Sequence, residues 1–233
     1  LKACGLKDFT IAICTVSVLR ELLDDIVGTG VADEAWRQAI LEAFHDNNAV
    51  EVARLADVPG IDGRYSEVLG LLPDLRGGGD AIKRCRDLVA SLGLEAGLDQ
   101  LEQTYAIIKG VGAEAYVSVD FSVMSGFDYY TGLVFEAYAP RLGVSLGSGG
   151  RYDRMLEAYG SKAPAAGFAF GLERVMAALM EQGALPENDI LRPEFARVEV
   201  DTTDPAGAFV EAARLRSEGI KAVLSTDPSV GSR

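Results

Sequence analysis

Candidate ligand-binding residues cluster on one predicted strand, which runs from Asp128 to Tyr138. Successive side chains of a strand point to opposite faces, so period two places Tyr130, Gly132 and Glu136 on one face and Tyr129 on the other. Glycine lets a ligand approach the backbone closely, and a phenol beside a carboxylate can satisfy a polar ligand. This face is therefore a candidate site for a small polar ligand, with a solvated sheet face as the alternative.

A second candidate segment follows at Gly149-Gly150-Arg151-Tyr152-Asp153. Paired glycines let the backbone pass near a ligand, and an arginine suits a carboxylate or a phosphate. The segment lacks the Gly-Lys-Ser/Thr ending of a P-loop. The alternative is a bulged strand end in which Arg151 forms a salt bridge with Asp153.

A third segment, Gly167 to Arg174, reads as a strand that leads into a helix. Arg174 falls in the first helical turn, where the helix dipole disfavours a cation. An arginine in this position needs an anionic partner, either a nucleotide phosphate or a nearby carboxylate. Glu173 is the local carboxylate that satisfies this need without a ligand.

A long helical region separates the predicted strands into two groups. Phe9 to Cys14 alternates as a strand, and Thr15 is the predicted cap of the following helix. From Asp33 to Gly110, apolar residues recur at helical spacing in stripes, two of which stop at Gly93 and Gly110. We expect these stripes to face the core and assign them no chemistry.

The remaining strands are grouped together after this region, at 115–123, 128–138, 144–146 and 164–170. Strands grouped apart from helices are typical of an α+β fold with an antiparallel sheet. A short helix is predicted from Tyr152 to Tyr159. After a linker from Pro186 to Pro193, the pattern becomes β-α-β, as in the first half of an α/β module.

Charge, cysteine content and hydropathy disfavour several classes of function. The net charge of −13 repels phosphate backbones, so nucleic-acid binding is disfavoured as the main function. Cys4, Cys14, Cys85 and the single His45 lack metal-binding or disulfide spacing, and we expect the cysteines to be buried in a reducing compartment. The sequence shows neither a membrane-length apolar run nor a signal peptide, which predicts a cytoplasmic protein. The start at Leu1 and the stop after a strand-like segment predict truncation at both ends.

Three segments together carry a family resemblance: FDYYTGLVFE, GGRYD and PAAGFAFGLERV. They resemble the catalytic fold of class II aminoacyl-tRNA synthetases in its histidyl branch. DYYTG-VFE is similar to the histidine-binding signature of that branch, and GLER is similar to class II motif 3. The resemblance covers about residues 9–180. It implies a six-stranded antiparallel sheet in a core of residues 1–186, a helical insertion at about 28–110, and a partial anticodon-binding-like module at 194–233.

The histidyl branch contains a true ligase and a regulatory paralogue. The ligase usually has an arginine immediately before the Gly-Phe-Asp-Tyr-Tyr segment, where this chain has Ser125. Serine lacks the charge that stabilises the developing negative charge on the α-phosphate, and losing such a donor costs about 2.7–4 kcal/mol. FTIAICTVSVLRELL and the turn VFEAYAPRLGVSLGSGGRYD also resemble the paralogue. GFAFGLER is ligase-like, so histidine-tRNA ligase is the alternative.

The resemblance implies a non-catalytic regulatory subunit of ATP phosphoribosyltransferase that binds histidine for feedback control of histidine biosynthesis. Its implied partner is the short-form catalytic subunit. The resemblance also implies that the regulatory subunit forms a homodimer within the hetero-oligomer. No catalytic residue, metal or cofactor is expected, and tRNA binding is disfavoured. Arg174 is expected to be a vestige of the nucleotide site. The implied histidine-binding residues are Tyr129, Tyr130, Glu136, Gly149, Gly150, Arg151 and Tyr152.

Overall fold

The fold is given by a computed structural model of the chain, which divides into two compact units, Leu1–Ala184 and Leu185–Arg233. The structure describes residues 1–123, 130–155, 157, 160, 163–185, 196–199, 205–218, 220 and 222–225. Tyr129 and Ser125, which the sequence analysis singled out, lie outside the described residues. The predicted helix from Tyr152 to Tyr159 lies partly outside them.

A six-stranded sheet organises the first unit, in the order β2-β3-β1-β4-β5-β6. Its strands are β1 (Thr10–Thr15), β2 (Arg76–Gly77), β3 (Val117–Asp120), β4 (Leu133–Tyr138), β5 (Ser145–Arg151) and β6 (Ala166–Phe170). Four of the five neighbouring pairs are antiparallel, and β1 and β3 are parallel. The sheet is therefore mixed rather than wholly antiparallel, because the helical region that joins β1 to β3 forms a crossover connection.

Helices make up most of the connection between β1 and β3, as the apolar stripes predict, but the short strand β2 interrupts them. They are α1 (Ser17–Gly28), α2 (Glu34–His45), α3 (Ala49–Ala56), α4 (Gly63–Leu71), α5 (Gly79–Val89) and α6 (Asp99–Gly110), and α7 (Leu172–Glu181) follows the sheet. The Asp33 carboxylate caps α2 by accepting from the Trp36 amide at 2.9 Å. Gly93 ends a 3₁₀ turn with φ of +71°, in the left-handed region that favours glycine.

The predicted cap of α1 is displaced by one residue. Val16 takes the N-cap position and supplies no side-chain cap. The Thr15 hydroxyl instead accepts from the Ser17 amide at 3.3 Å and donates to the Gly97 carbonyl at 3.4 Å. Thr15 is fully buried, so these two hydrogen bonds satisfy a hydroxyl that has no access to water. The threonine thus joins the start of α1 to the segment before α6.

One apolar core joins the helical region to strands β1, β3 and β4. The predicted stripe of α1 faces this core, with Leu19, Leu22 and Leu23 fully buried. Phe121, just after β3, is also fully buried. Burying side chains of this size contributes about 1.5–3 kcal/mol each, so the helical region is held to the sheet mainly by this packing.

The cysteines differ in exposure. Cys14 and Cys85 are buried as predicted, but Cys4 is exposed. Burial raises the pKa of the Cys14 thiol well above its usual value and raises the pKa of Cys85 to about 12. Since only the thiolate is reactive, both buried thiols are chemically inert near neutral pH.

We therefore expect one fast-reacting thiol among these three when the folded protein is treated with Ellman's reagent at pH 8. Cys4→Ser removes that fast phase, whereas Cys14 and Cys85 react only after guanidinium unfolding. Rapid labelling of Cys14 or Cys85 in the folded Cys4→Ser variant would contradict the packing described for β1 and α5.

The second unit is a small β-α-β arrangement, as the sequence predicts. β7 (Ala196–Glu199) and β8 (Ala222–Ser225) are parallel, and α8 (Pro205–Ser217) connects them. Ala208, Ala212 and Ala222 form its buried apolar cluster. Across the part of the chain that the structure describes, no helix is long and apolar enough to span a membrane.

Candidate functional site

Two tyrosines lie over glycines of neighbouring strands, Tyr130 over Gly150 of β5 and Tyr152 over Gly167 of β6. A Cβ atom built on Gly150 would lie 2.6 Å from Cδ1 of Tyr130, so the ring occupies the space that any side chain would need. The rings of Tyr130 and Tyr152 have centroids 6.4 Å apart. A Cβ on Gly167 would collide with the Tyr152 hydroxyl. These four residues are called the tyrosine cluster: Tyr130, Gly150, Tyr152 and Gly167.

Gly149 has a different neighbourhood from Gly150, although both belong to the predicted glycine pair. A Cβ on Gly149 would lie 2.8 Å from Cε1 of Phe135 and 2.6 Å from Cβ of Phe168. Adjacent strand residues point to opposite faces, so Gly149 serves the face that carries these phenylalanines. The two glycines therefore let aromatic side chains pack directly against both faces of β5. Only Gly150 belongs to the tyrosine cluster.

Glu136 lies beyond the tyrosine cluster on the same face of the sheet. Gly150 is paired with Val134, and Glu136 is paired with Ser148. Cross-strand partners point to the same side, as do residues two apart on one strand. The predicted strand begins later than expected, at Leu133, so Tyr130 lies outside it. Its ring nevertheless covers Gly150, and Tyr130 and Glu136 therefore share one face, with Val134 between them.

Glu136 opens onto a polar cavity of about 330 Å³, here called the polar basin. Its lining residues are His45, Asn47, Arg76, Asp120, Ser122, Val123, Glu136 and Tyr138. The Tyr138 hydroxyl donates to Oε2 of Glu136. Burial, with this hydrogen bond as the next cause, raises the Tyr138 pKa, so the hydroxyl remains a donor at neutral pH. The cavity is large enough for an amino acid, since small-molecule sites begin near 300 Å³.

Asp120 organises the far wall of the basin. Its Oδ1 accepts from the Ser122 amide at 2.9 Å and from the Ser122 hydroxyl at 2.6 Å, and it lies 3.3 Å from Nε of Arg76. Sequence reasoning did not assign this wall to a site. The alternation of residues 115–123 places Asp120 and Ser122 on a polar face, which was the available signal. Arg76 gave none, because β2 has only two residues.

The opposite face of the sheet offers different chemistry. A groove of about 470 Å³ there is lined mainly by apolar and aromatic side chains, among them Phe9, Ile11, Phe135, Phe168 and Phe170. Phe168 is 71% exposed. An apolar lining cannot satisfy the hydrogen-bonding groups of a polar ligand. The candidate site for such a ligand is therefore the face that carries the tyrosine cluster and the polar basin.

A family model described as histidyl-tRNA synthetase matches residues 1–175 of the chain. The chain belongs to the histidyl-tRNA synthetase family. The match spans the six-stranded sheet, its helical region, the tyrosine cluster and the polar basin. The α+β fold predicted from the synthetase-like motifs is thus confirmed.

Curated relatives of the chain carry a regulatory name. A protein from Moorella thermoacetica described as "ATP phosphoribosyltransferase regulatory subunit" is 34% identical over 224 residues, which are 96% of this chain and 55% of the relative. A protein of the same description from Thermoanaerobacter pseudethanolicus is 30% identical over 220 residues, which are 94% of this chain and 56% of the relative. The chain therefore spans about half the length of these relatives.

A solved structure supports the same family fold. It is an ATP phosphoribosyltransferase regulatory subunit/histidyl-tRNA synthetase from Bacillus halodurans, 28% identical to this chain. The match has a TM-score of 0.70 and covers 100% of this chain and 57% of that protein. Its description joins the two names between which the sequence left a choice.

Two arginines predicted in or near the family's ligand sites have protein partners. Nε of Arg151 lies 2.7 Å from Oδ2 of Asp153, which is the salt bridge anticipated as the alternative to ligand contact. Arg174, in the first turn of α7, donates to the Ser145 carbonyl at 2.9 Å. Within the described part of the chain Arg174 forms no ion pair, so Glu173 is not its partner there.

Proposed function

We propose that this chain is the histidine-binding part of a non-catalytic regulatory subunit of ATP phosphoribosyltransferase. The observation that carries the proposal is one sheet face with the tyrosine cluster at one end and Glu136, on the polar basin, at the other. The regulatory names of the curated relatives support the same assignment. In this function, bound histidine, the end product of the pathway, lowers the activity of the transferase.

Histidine matches the chemistry of this face. A flat imidazole can lie against the tyrosine rings, which Gly150 and Gly167 allow to approach the strands closely. A carboxylate such as Glu136 is suited to a cationic ammonium or an imidazole N–H, since hydrogen bonds to charged groups are the stronger ones. Tyr129 and Arg151 are proposed to lie next to the pocket, whereas Gly149, also predicted as a ligand residue, faces the phenylalanine side of β5 and is not proposed to contact histidine.

Two features of the sequence favour regulation over ligation. Ser125 stands where the ligase branch carries an arginine, so the chain lacks that cation for histidine activation. The net charge of −13 opposes tRNA binding. In the proposed cytoplasmic assembly, a homodimer of this subunit joins short-form catalytic subunits. Histidine then acts through a coupling free energy between its own site and the distant active site.

Histidine-tRNA ligase is the second candidate function. The segment GFAFGLER is ligase-like and places Arg174 in the helical turn that follows β6. The family model also bears the synthetase name. A ligase would use Arg174 at a nucleotide site, whereas the regulatory subunit retains it as a vestige.

Calorimetric titration of the full-length protein, first with histidine and then with ATP, tests the proposal. We expect saturable histidine binding, no histidine-dependent pyrophosphate exchange, and co-elution with the short-form catalytic subunit. We also expect no salt-sensitive tRNA retention near physiological ionic strength. Clear pyrophosphate exchange would establish the ligase instead, and absence of histidine binding would exclude both functions.

A further inference from the structure

A closed set of hydrogen bonds joins three segments: the one before β4, the one at the end of β5, and the one before β6. One oxygen of the Asp153 carboxylate accepts a hydrogen bond from Nε of Arg151 at 2.7 Å. The other oxygen accepts from the Ala165 amide at 3.1 Å. The Asp153 amide donates to the Thr131 hydroxyl at 3.1 Å, and the Thr131 amide donates to the Arg151 carbonyl at 2.7 Å. These four residues, Thr131, Arg151, Asp153 and Ala165, are called the lock.

The lock acts on the residues beside both tyrosines. Tyr152 lies between Arg151 and Asp153, and its own amide donates to the Ala165 carbonyl at 2.8 Å. Tyr130 immediately precedes Thr131. A lone exposed ion pair contributes little to stability, but the Asp153 carboxylate is only 33% exposed and also satisfies a backbone amide. The lock therefore fixes the backbone on both sides of Tyr152 and on the C-terminal side of Tyr130.

We infer that Asp153 and Thr131 are positioning residues for the ligand site. They hold Tyr130 and Tyr152 across Gly150 and Gly167 without touching the ligand themselves. This inference rests on the proposed histidine site. The hydrogen bonds matter for binding because they keep both tyrosine rings in place before histidine arrives. Preorganisation of this kind raises affinity by reducing the ordering that binding requires.

Substitutions of nearly unchanged size separate the lock from general stability. Asp153→Asn keeps an oxygen for the Ala165 amide but turns an NH₂ group toward Nε of Arg151, so two donors face each other. Thr131→Val removes the acceptor of the Asp153 amide, and Thr131→Ser retains it. Glu157→Gln is the matched control, since its carboxylate pairs only with exposed Arg154 at 3.5 Å among the described contacts.

The experiment titrates histidine into the full-length protein and its variants and records their thermal unfolding. We expect Asp153→Asn and Thr131→Val to weaken histidine binding about tenfold, with Thr131→Ser and Glu157→Gln close to wild type. Unchanged affinity in both Asp153→Asn and Thr131→Val would overturn the inference. If Asp153→Asn fails to fold, the contrast between valine and serine at position 131 decides it.

A second measurement needs no histidine and so separates failure of this inference from failure of the proposed function. The full-length protein is labelled with 3-fluorotyrosine, and the Tyr152 fluorine resonance is assigned by its loss in Tyr152→Phe. We expect Asp153→Asn and Thr131→Val to shift or broaden this resonance in the ligand-free protein, and Thr131→Ser and Glu157→Gln to leave it in place. A Tyr152 resonance that is the same in all variants overturns the lock, even if histidine binds.

Discussion

Glu136→Gln is expected to weaken histidine binding roughly ten- to hundredfold, because a hydrogen bond to a charged group contributes about 1.5–3 kcal/mol. Glutamine preserves the size of the side chain and keeps an oxygen that can accept from the Tyr138 hydroxyl. The substitution therefore removes the charge of Glu136 from the polar basin, leaves Asp120 in place, and changes little else. Calorimetric titration of the full-length variant measures the loss, and feedback inhibition of the reconstituted complex should weaken by the same factor.

Glu102→Gln is the matched control for this prediction. Glu102 pairs with Arg86, and both side chains belong to the helical region rather than to the sheet face. A surface pair of this kind contributes about 0–1 kcal/mol to stability, so histidine binding should not change. If Glu136→Gln binds histidine as tightly as wild type, the ligand lies elsewhere. If both variants bind equally weakly, the effect comes from the fold, and a thermal melt will show it.

Gly150→Ala is expected to abolish measurable histidine binding and to lower the free energy of unfolding by about 1–3 kcal/mol, the usual cost of overpacking. The new methyl group would lie 2.6 Å from Cδ1 of Tyr130 and 2.7 Å from the Leu133 carbonyl oxygen. The ring can turn away, but the carbonyl belongs to β4 and moves only with the strand. Both shifts disrupt the tyrosine cluster. Histidine titration and urea unfolding measure the two effects.

Gly70→Ala provides the same chemical change with the opposite expected sign. Gly70 lies in the last turn of α4, and a Cβ there would meet nothing within 4 Å. Alanine is the better helix former by about 1 kcal/mol, so this variant should be slightly more stable and bind histidine normally. Normal histidine binding by Gly150→Ala would show that the space between β5 and Tyr130 is not part of the ligand site.

The local sequence pattern was sufficient to predict features that depend only on neighbouring residues. Helical spacing of apolar residues predicted the helical region between β1 and β3, and Asp33 indicated the start of α2. Alternation predicted that Tyr130, which precedes β4, and Glu136, which lies within it, share one face of the sheet. These features follow from periods of 3.6 and 2.0 residues, which are visible in a single segment. The synthetase-like motifs then supplied the α+β family fold.

The sequence by itself thus determined the type of most elements, the family, and the candidate face of the sheet. Only the tertiary structure decided that β1 and β3 run parallel, that Arg76 meets Asp120 at the basin, and that Asp153 binds the Ala165 amide. Each of these depends on segments that are distant in sequence and brought together by packing of the core. No local period encodes such pairings, because the free energy that selects them arises from burial across the whole unit.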